Sequence, residues 1–132
     1  CLRLKVCGFL AKIKLKAKVI NQSEKNTFSY HGDGLLLKNK IVYYENDICV
    51  TLMKQENIVK LVRKHKEYEL EMTFRKGYKT EVVHNSLKES LKTNLQVETN
   101  VLEWENDRVR IDYRLYPTNE LFSYQLKFEV IE

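Results

Sequence analysis

Apolar and polar residues alternate along almost the whole chain. KIKLKAKVI, from Lys12 to Ile20, sets Ile13, Leu15, Ala17 and Val19 against Lys12, Lys14, Lys16 and Lys18. EYELEMTF places Tyr68, Leu70, Met72 and Phe74 on one side and Glu67, Glu69, Glu71 and Thr73 on the other, and LQVETNV alternates Leu95, Val97, Thr99 and Val101 with polar neighbours. In DRVRIDYRLY, Val109, Ile111, Tyr113 and Leu115 oppose Arg108, Arg110, Asp112 and Arg114, and LFSYQLKFEV gathers Phe122, Tyr124, Leu126, Phe128 and Val130. A period of two is the strand signature, because successive side chains point to opposite faces of a sheet. Each of these strands has one dry face to bury.

Turn residues punctuate the pattern at Glu45-Asn46-Asp47, Gln55-Glu56-Asn57, Lys64-His65-Lys66, Lys76-Gly77, Glu105-Asn106-Asp107 and Pro117-Thr118-Asn119. The spacing predicts strands over 10–20, 25–31, 34–38, 40–45, 47–54, 57–64, 67–76, 79–86, 91–103, 107–116 and 120–131, about ten in all if 25–38 is not broken at its glycines. Ser86 to Lys92 is the one short candidate for a helix. Connections this short make antiparallel hairpins, since a parallel crossover needs a dozen or more residues. An up-and-down meander with one apolar face per strand buries that face, and removes its exposed edges, by curling into a barrel. The expected fold is an all-β, antiparallel up-and-down barrel of about ten strands.

Length and composition fit that picture. A chain of 132 residues with 43% hydrophobic residues supports one core, and one proline with four glycines leaves no room for a linker. The expectation is a single domain over 1–132, with residues 1–9 as an N-terminal extension or lead-in to the first strand. Cys1, Cys7 and Cys49 form no C-x-x-C pair and no zinc spacing with His31, His65 or His84, which points to free thiols in a reducing, cytoplasmic compartment and to no metal. No apolar stretch is long enough to span a bilayer.

The chemistry-bearing residues are few. His31-Gly32-Asp33-Gly34 could bring backbone close to a phosphate, but with no following helix it reads as a β-bulge or a tight bend at a barrel corner. Glu45-Asn46-Asp47 lacks the glycine and distal glutamate of a calcium loop and reads as a hairpin turn. The three histidines fall on separate strands or turns, and no serine or cysteine sits in an activating motif, so neither an enzyme nor a cofactor is expected. By parity Tyr43, Tyr68, Tyr113 and Tyr124 face inward, and Arg63 shares the face of Val59 and Leu61. A buried arginine requires a carboxylate partner or an anionic ligand head group.

The lysine ridge reads first as a solvated outer face, offset by Glu67, Glu69, Glu71 and Glu129. With a net charge of +5 it also admits a second function, a basic face formed by Lys12, Lys14, Lys16, Lys18, Arg108, Arg110 and Arg114 that holds RNA or an acidic protein. The first function is a non-enzymatic barrel that takes a small, partly apolar or amphipathic ligand in its lumen, with Tyr43, Arg63, Tyr68, Tyr113 and Tyr124 as candidate contacts.

The order GDGLLLKNKIVYYE, TLMKQENIVKLVRK, EMTFRKG, HNSLKESLKTNLQVETNVL and VRIDYRLYPTNELFSYQLKFEV resembles the YwiB-like family of bacterial proteins of unknown function over roughly residues 10 to 132. Arg63-Lys64-His65 and the stretch holding His84, Ser86 and Glu89 differ from the family's usual arginine–glycine and tyrosine–threonine–glycine positions, as in a divergent member. The resemblance implies a calycin or lipocalin-like barrel in a bacterial cytoplasm and carries no catalytic residues.

Overall fold

Residues 11–86 and 95–131 are described in the computed structural model, and they build one closed barrel of ten antiparallel strands. In chain order these are β1 (Ala11–Asn21), β2 (Asn26–Leu37), β3 (Lys40–Glu45), β4 (Ile48–Gln55), β5 (Ile58–Lys64), β6 (Tyr68–Arg75), β7 (Lys79–Ser86), β8 (Leu95–Trp104), β9 (Arg108–Tyr116) and β10 (Glu120–Val130). Each strand pairs with the next in sequence, and β1 pairs with β10 to complete the ring. The tight turns use residues that tolerate positive φ: Asn46 (58°), Asn119 (64°) and Gly77 (83°) among them. Antiparallel order puts the turns after β1, β3, β5 and β9 at one end, called upper here, and those after β2, β4, β6 and β8 at the other.

Alternation decides the inside. Ile13, Leu15 and Ala17 from β1, Ile41 and Tyr43 from β3, Val50 and Leu52 from β4, Val59 and Leu61 from β5, and Val109, Ile111 and Tyr113 from β9 are all buried. Toward the lower end Trp104 and Phe128 pack against this core. The lysines of β1 alternate outward and are exposed.

Three local expectations change. The glycines do not break β2: its register with β1 runs unbroken from Ala11↔Leu36 to Asn21↔Asn26, so the strand count is ten and no bulge forms at His31–Gly34. The irregularity lies instead in β8, where the register on β9 shifts between Thr99 and Val101. Asn100 is the extra residue; it turns Val101 outward opposite Asp112 and brings Leu102 and Trp104 to the core side opposite Ile111 and Val109. Val130 closes its strand with 53% of its surface exposed, because it lies at the lower rim where the core ends. Of the helix candidate Ser86–Lys92, Ser86 closes β7 and the rest lies outside the described residues, as do 91–94 of the predicted eighth strand and the lead-in at 1–9.

The glycines of β2 serve close packing. β2 meets β3 only from Gly34↔Tyr43 to Leu37↔Lys40, and a Cβ on Gly34 would sit 2.7 Å from Leu15 Cδ2 and 2.9 Å from the Val42 carbonyl oxygen. Beside it, the Tyr30 ring lies across Gly32 and stacks on Tyr43 with centroids 5.6 Å apart. Gly34→Ala must displace backbone and is expected to cost about 1–3 kcal/mol, as overpacked cores do. Gly32→Ala meets only the movable end of Tyr30 and should cost less; urea denaturation of the two variants measures the difference.

Candidate functional site

The upper half of the barrel is not filled. A cavity of about 330 Å³ opens there, walled by Val19, Leu70, Met72, Leu115 and Phe122, with Arg63, Tyr113 and Tyr124 as its polar members. Phe28 stands at its mouth, 52% exposed, on the part of β2 that extends beyond β3. The lining comes from the upper parts of the strands, with Val19 of β1, Leu70 and Met72 of β6, Leu115 of β9 and Phe122 of β10 placed inward by alternation.

Glu45 supplies the carboxylate that a lumenal arginine requires. It is the last residue of β3, inward by parity with Ile41 and Tyr43 and 2% exposed, and Arg63 Nη2 donates to its Oε1 at 2.5 Å. Among the described residues this is Arg63's one hydrogen bond, and a guanidinium carries five N–H donors, so the group has capacity left on its cavity side. A buried ion pair is stable only where hydrogen bonds and geometry offset the loss of water, which fits a pair set among tyrosines.

The tyrosines are held neutral. The hydroxyls of Tyr43 and Tyr124 share a hydrogen bond of 2.8 Å in the buried interior. Burial pushes both phenols far above their ordinary range. Burial also pushes Tyr113 up to about 12, against a smaller lowering by the Arg63 charge. A neutral phenol next to a guanidinium offers a donor as well as an acceptor. Tyr113 is fixed by rings on both sides, Phe74 at 5.0 Å and Phe122 at 5.4 Å.

Arg63, Tyr113 and Tyr124 thus meet at one cavity, while Tyr43 stands behind Tyr124 and does not line it. Tyr68, the fifth candidate, is not among the cavity's lining residues. It lies at the upper rim, stacked between His65 at 5.2 Å and His84 at 6.0 Å. The register explains this: Tyr68 faces Ser86, where β6 and β7 end, a turn beyond Leu70 and Met72. His65 and His84 stay on separate elements, as expected, and each stacks on the Tyr68 ring. His65 accepts from the Glu67 amide at Nδ1 and bonds Asp47 Oδ2 through Nε2 at 2.9 Å, and that bond holds the Asp47 carboxyl below its usual range.

On the outside, register redistributes the basic face. Glu67, Glu69 and Glu71 do not offset the β1 lysines: Glu69 and Glu71 belong to β6 and Glu67 to the turn before it, on the far side of the ring, where Glu69 faces Lys64. Glu129 does face Lys14, as does Asp33. Arg110 is held by Asp112 through two bonds of 3.2 and 2.9 Å. Burial works against the Asp112 charge, but Arg110 and the Ser123 hydroxyl outweigh it and lower the carboxyl below its usual range. Arg114 donates to the Asn119 carbonyl and faces Glu98, while Lys12 faces Leu35. Lys16 and Lys18 remain, and the structure sets Lys127 and Arg108 beside them. Among the described residues no three or more His, Cys, Asp or Glu side chains are placed to hold a metal ion, Cys49 is in no disulfide, and no helix is long and apolar enough to cross a membrane.

The buried phenols set an alkaline limit. A folded pKa raised above the ordinary value near 10 means stability that is complete below pH 10 and lost as pH rises through the folded value. For Tyr113 the window is about pH 10 to 12. Absorbance titration of the phenolate is expected to show Tyr43, Tyr113 and Tyr124 ionising only together with unfolding followed by circular dichroism; reversible ionisation of all eight tyrosines in a folded chain would contradict their burial.

The profile of the family described as Domain of unknown function (DUF1934) matches residues 13–127. The crystal structure of the ywiB protein from Bacillus subtilis is similar with a TM-score of 0.75 at 18% sequence identity, over 93% of this chain and 94% of that one. Identity at this level speaks to the fold alone. No curated protein matches. The match spans the barrel from the first strand to the last, and the chain belongs to the YwiB-like DUF1934 family of domains of unknown function.

Proposed function

We propose that this protein is a non-catalytic binding barrel of the calycin-like kind, which holds one small, partly apolar ligand in the upper lumen and works inside a bacterial cell. The observation that carries this reading is the cavity itself, about 330 Å³, with apolar walls and Arg63, Tyr113 and Tyr124 as the polar part of its lining. That volume lies at the small end of ligand pockets, which run from about 300 to 1,000 Å³ and pair apolar walls with a few fixed polar contacts.

The polar groups describe the ligand's head. Arg63 only donates, and Tyr113 is a neutral hydroxyl that can donate, so the head group is a hydrogen-bond acceptor. Glu45 already meets the charge of Arg63, so a carbonyl or amide oxygen is accommodated without a second anion being buried. Val19, Leu70, Met72, Leu115 and Phe122 contact the apolar body. Phe28 at the mouth is the residue a bound ligand would cover.

Native mass spectrometry of freshly purified protein, beside a denatured control, tests this directly. The expected result is a mass adduct in the native spectrum alone. Leu70→Trp fills the cavity and should abolish it. Arg63→Lys keeps a charge near Glu45 but gives up the planar fork, and should weaken retention by about tenfold if two donor contacts are lost. As a second readout, the uncharged dye N-phenyl-1-naphthylamine should bind the wild type and not Leu70→Trp. A clean native mass together with equal dye binding by both proteins would refute a lumenal site.

A further inference from the structure

Outside the barrel, cross-strand register creates a row that the lumen does not involve. On the outer face Lys16 of β1 stands directly beside His31 of β2 and Lys127 of β10, and Lys127 stands beside Arg108 of β9. Along its own strand the same-face neighbours of Lys16 are Lys14 and Lys18. Lys16 therefore has a cation or a histidine on all four sides. Like charges directly opposite one another destabilise a sheet.

The rest of the outer surface avoids this arrangement. Lys64 faces Glu69, Lys79 faces Glu98, Arg114 faces Glu98 and Arg110 faces Glu103, each an opposite-sign pair. Repulsion is thus concentrated in one place. Among the described residues Lys16, Lys18 and Lys127 have no ion-pair partner, and Arg108 has only an exposed contact with Glu105 at 3.3 Å.

The surface there is also concave. A depression of about 450 Å³ is lined by Lys16, Lys18, Lys127, Arg108 and Arg110 as permanent cations, with Ser29, Gln125 and His31 as further polar groups and Glu103 as its one carboxylate. Sheet backbone donors are taken up by the ladder, so side chains alone make the contacts. Lysines act as point charges, and the Arg108 fork can hold two oxygens of one phosphoryl group.

We propose that this depression is a binding site for a compact oligophosphate, a small molecule bearing a chain of two or three phosphoryl groups. The row from His31 to Arg108 crosses four strands, three spacings of about 4.8 Å each, long enough for consecutive phosphoryl groups to meet successive cations. No Phe, Tyr or Trp side chain lines the depression and the His31 imidazole is its one ring, too little to stack successive bases, so recognition falls on phosphates rather than on a nucleic-acid strand. The site is independent of the lumen, which opens at the upper rim.

Titration calorimetry with inorganic triphosphate, orthophosphate and a single-stranded RNA 12-mer at about 50 mM salt provides the test. Triphosphate is expected to bind at least about tenfold more tightly than orthophosphate, and Lys16→Gln with Lys127→Gln to lose at least about tenfold. Lys60→Gln, on the opposite side of the ring, removes the same charge and should leave binding unchanged, as should Leu70→Trp in the lumen. Thermal melts of the ligand-free double variant should show a midpoint at or above the wild type, since repulsion is relieved. The proposal is overturned if Lys60→Gln weakens binding as much as the row variants, if triphosphate is no tighter than orthophosphate, or if the RNA binds more tightly than triphosphate.

Discussion

The pairing of the first strand with the last makes everything else in this molecule possible. Nine register pairs, from Ile13↔Val130 to Asn21↔Phe122, join β1 to β10 and turn a meander into a ring. Without that seam both strands would be edges, with unpaired backbone groups and a dry face open to water. With it, ten half-apolar ribbons share one interior. The same seam brings the outer lysines of β1 against Lys127 of β10, so one act of closure fixes both the lumen and the charged row outside it.

Inside, the barrel divides along its axis. The lower part is packed with aliphatic side chains and capped by Trp104 and Phe128. Above it the interior becomes polar, with the Tyr43–Tyr124 hydrogen bond and the Glu45–Arg63 pair. Each of these groups has a partner, and such pairing specifies one arrangement of the upper strands more sharply than further leucines would. The cavity lies where that polar layer meets the apolar walls, so shape and hydrogen bonding act on the same small volume.

Much of the fold was legible because strand parity is a strong code. The lysines of β1, the inward tyrosines of β3, β9 and β10, and the antiparallel order all follow from alternation and short turns. Glu45 was legible too, two residues beyond Tyr43 on the same face, but next to Asn46 and Asp47 it reads as part of a turn. Other features depend on register, which local pattern does not carry. The Asn100 bulge sits in an unbroken run of alternating residues and reverses the faces beyond it. Glu67, Glu69 and Glu71 look like counter-charges for the lysines only until the ring places them on its far side. Lys127 is inconspicuous in sequence and stands next to Lys16 only because the ends of the barrel meet.

Closure by the terminal strands also has a meaning in time. A ribosome delivers β1 first and β10 last, so for most of synthesis β1 has β2 on one side and nothing on the other. An unpartnered strand with Ile13, Leu15, Ala17 and Val19 on one face is a template for association with a second nascent chain. The four lysines that alternate with those residues face the same solvent that any such neighbour would have to cross, and two copies of the strand laid side by side would oppose lysine to lysine. The lysine ridge thus opposes pairing between copies of β1 for as long as β10 has not covered its free edge.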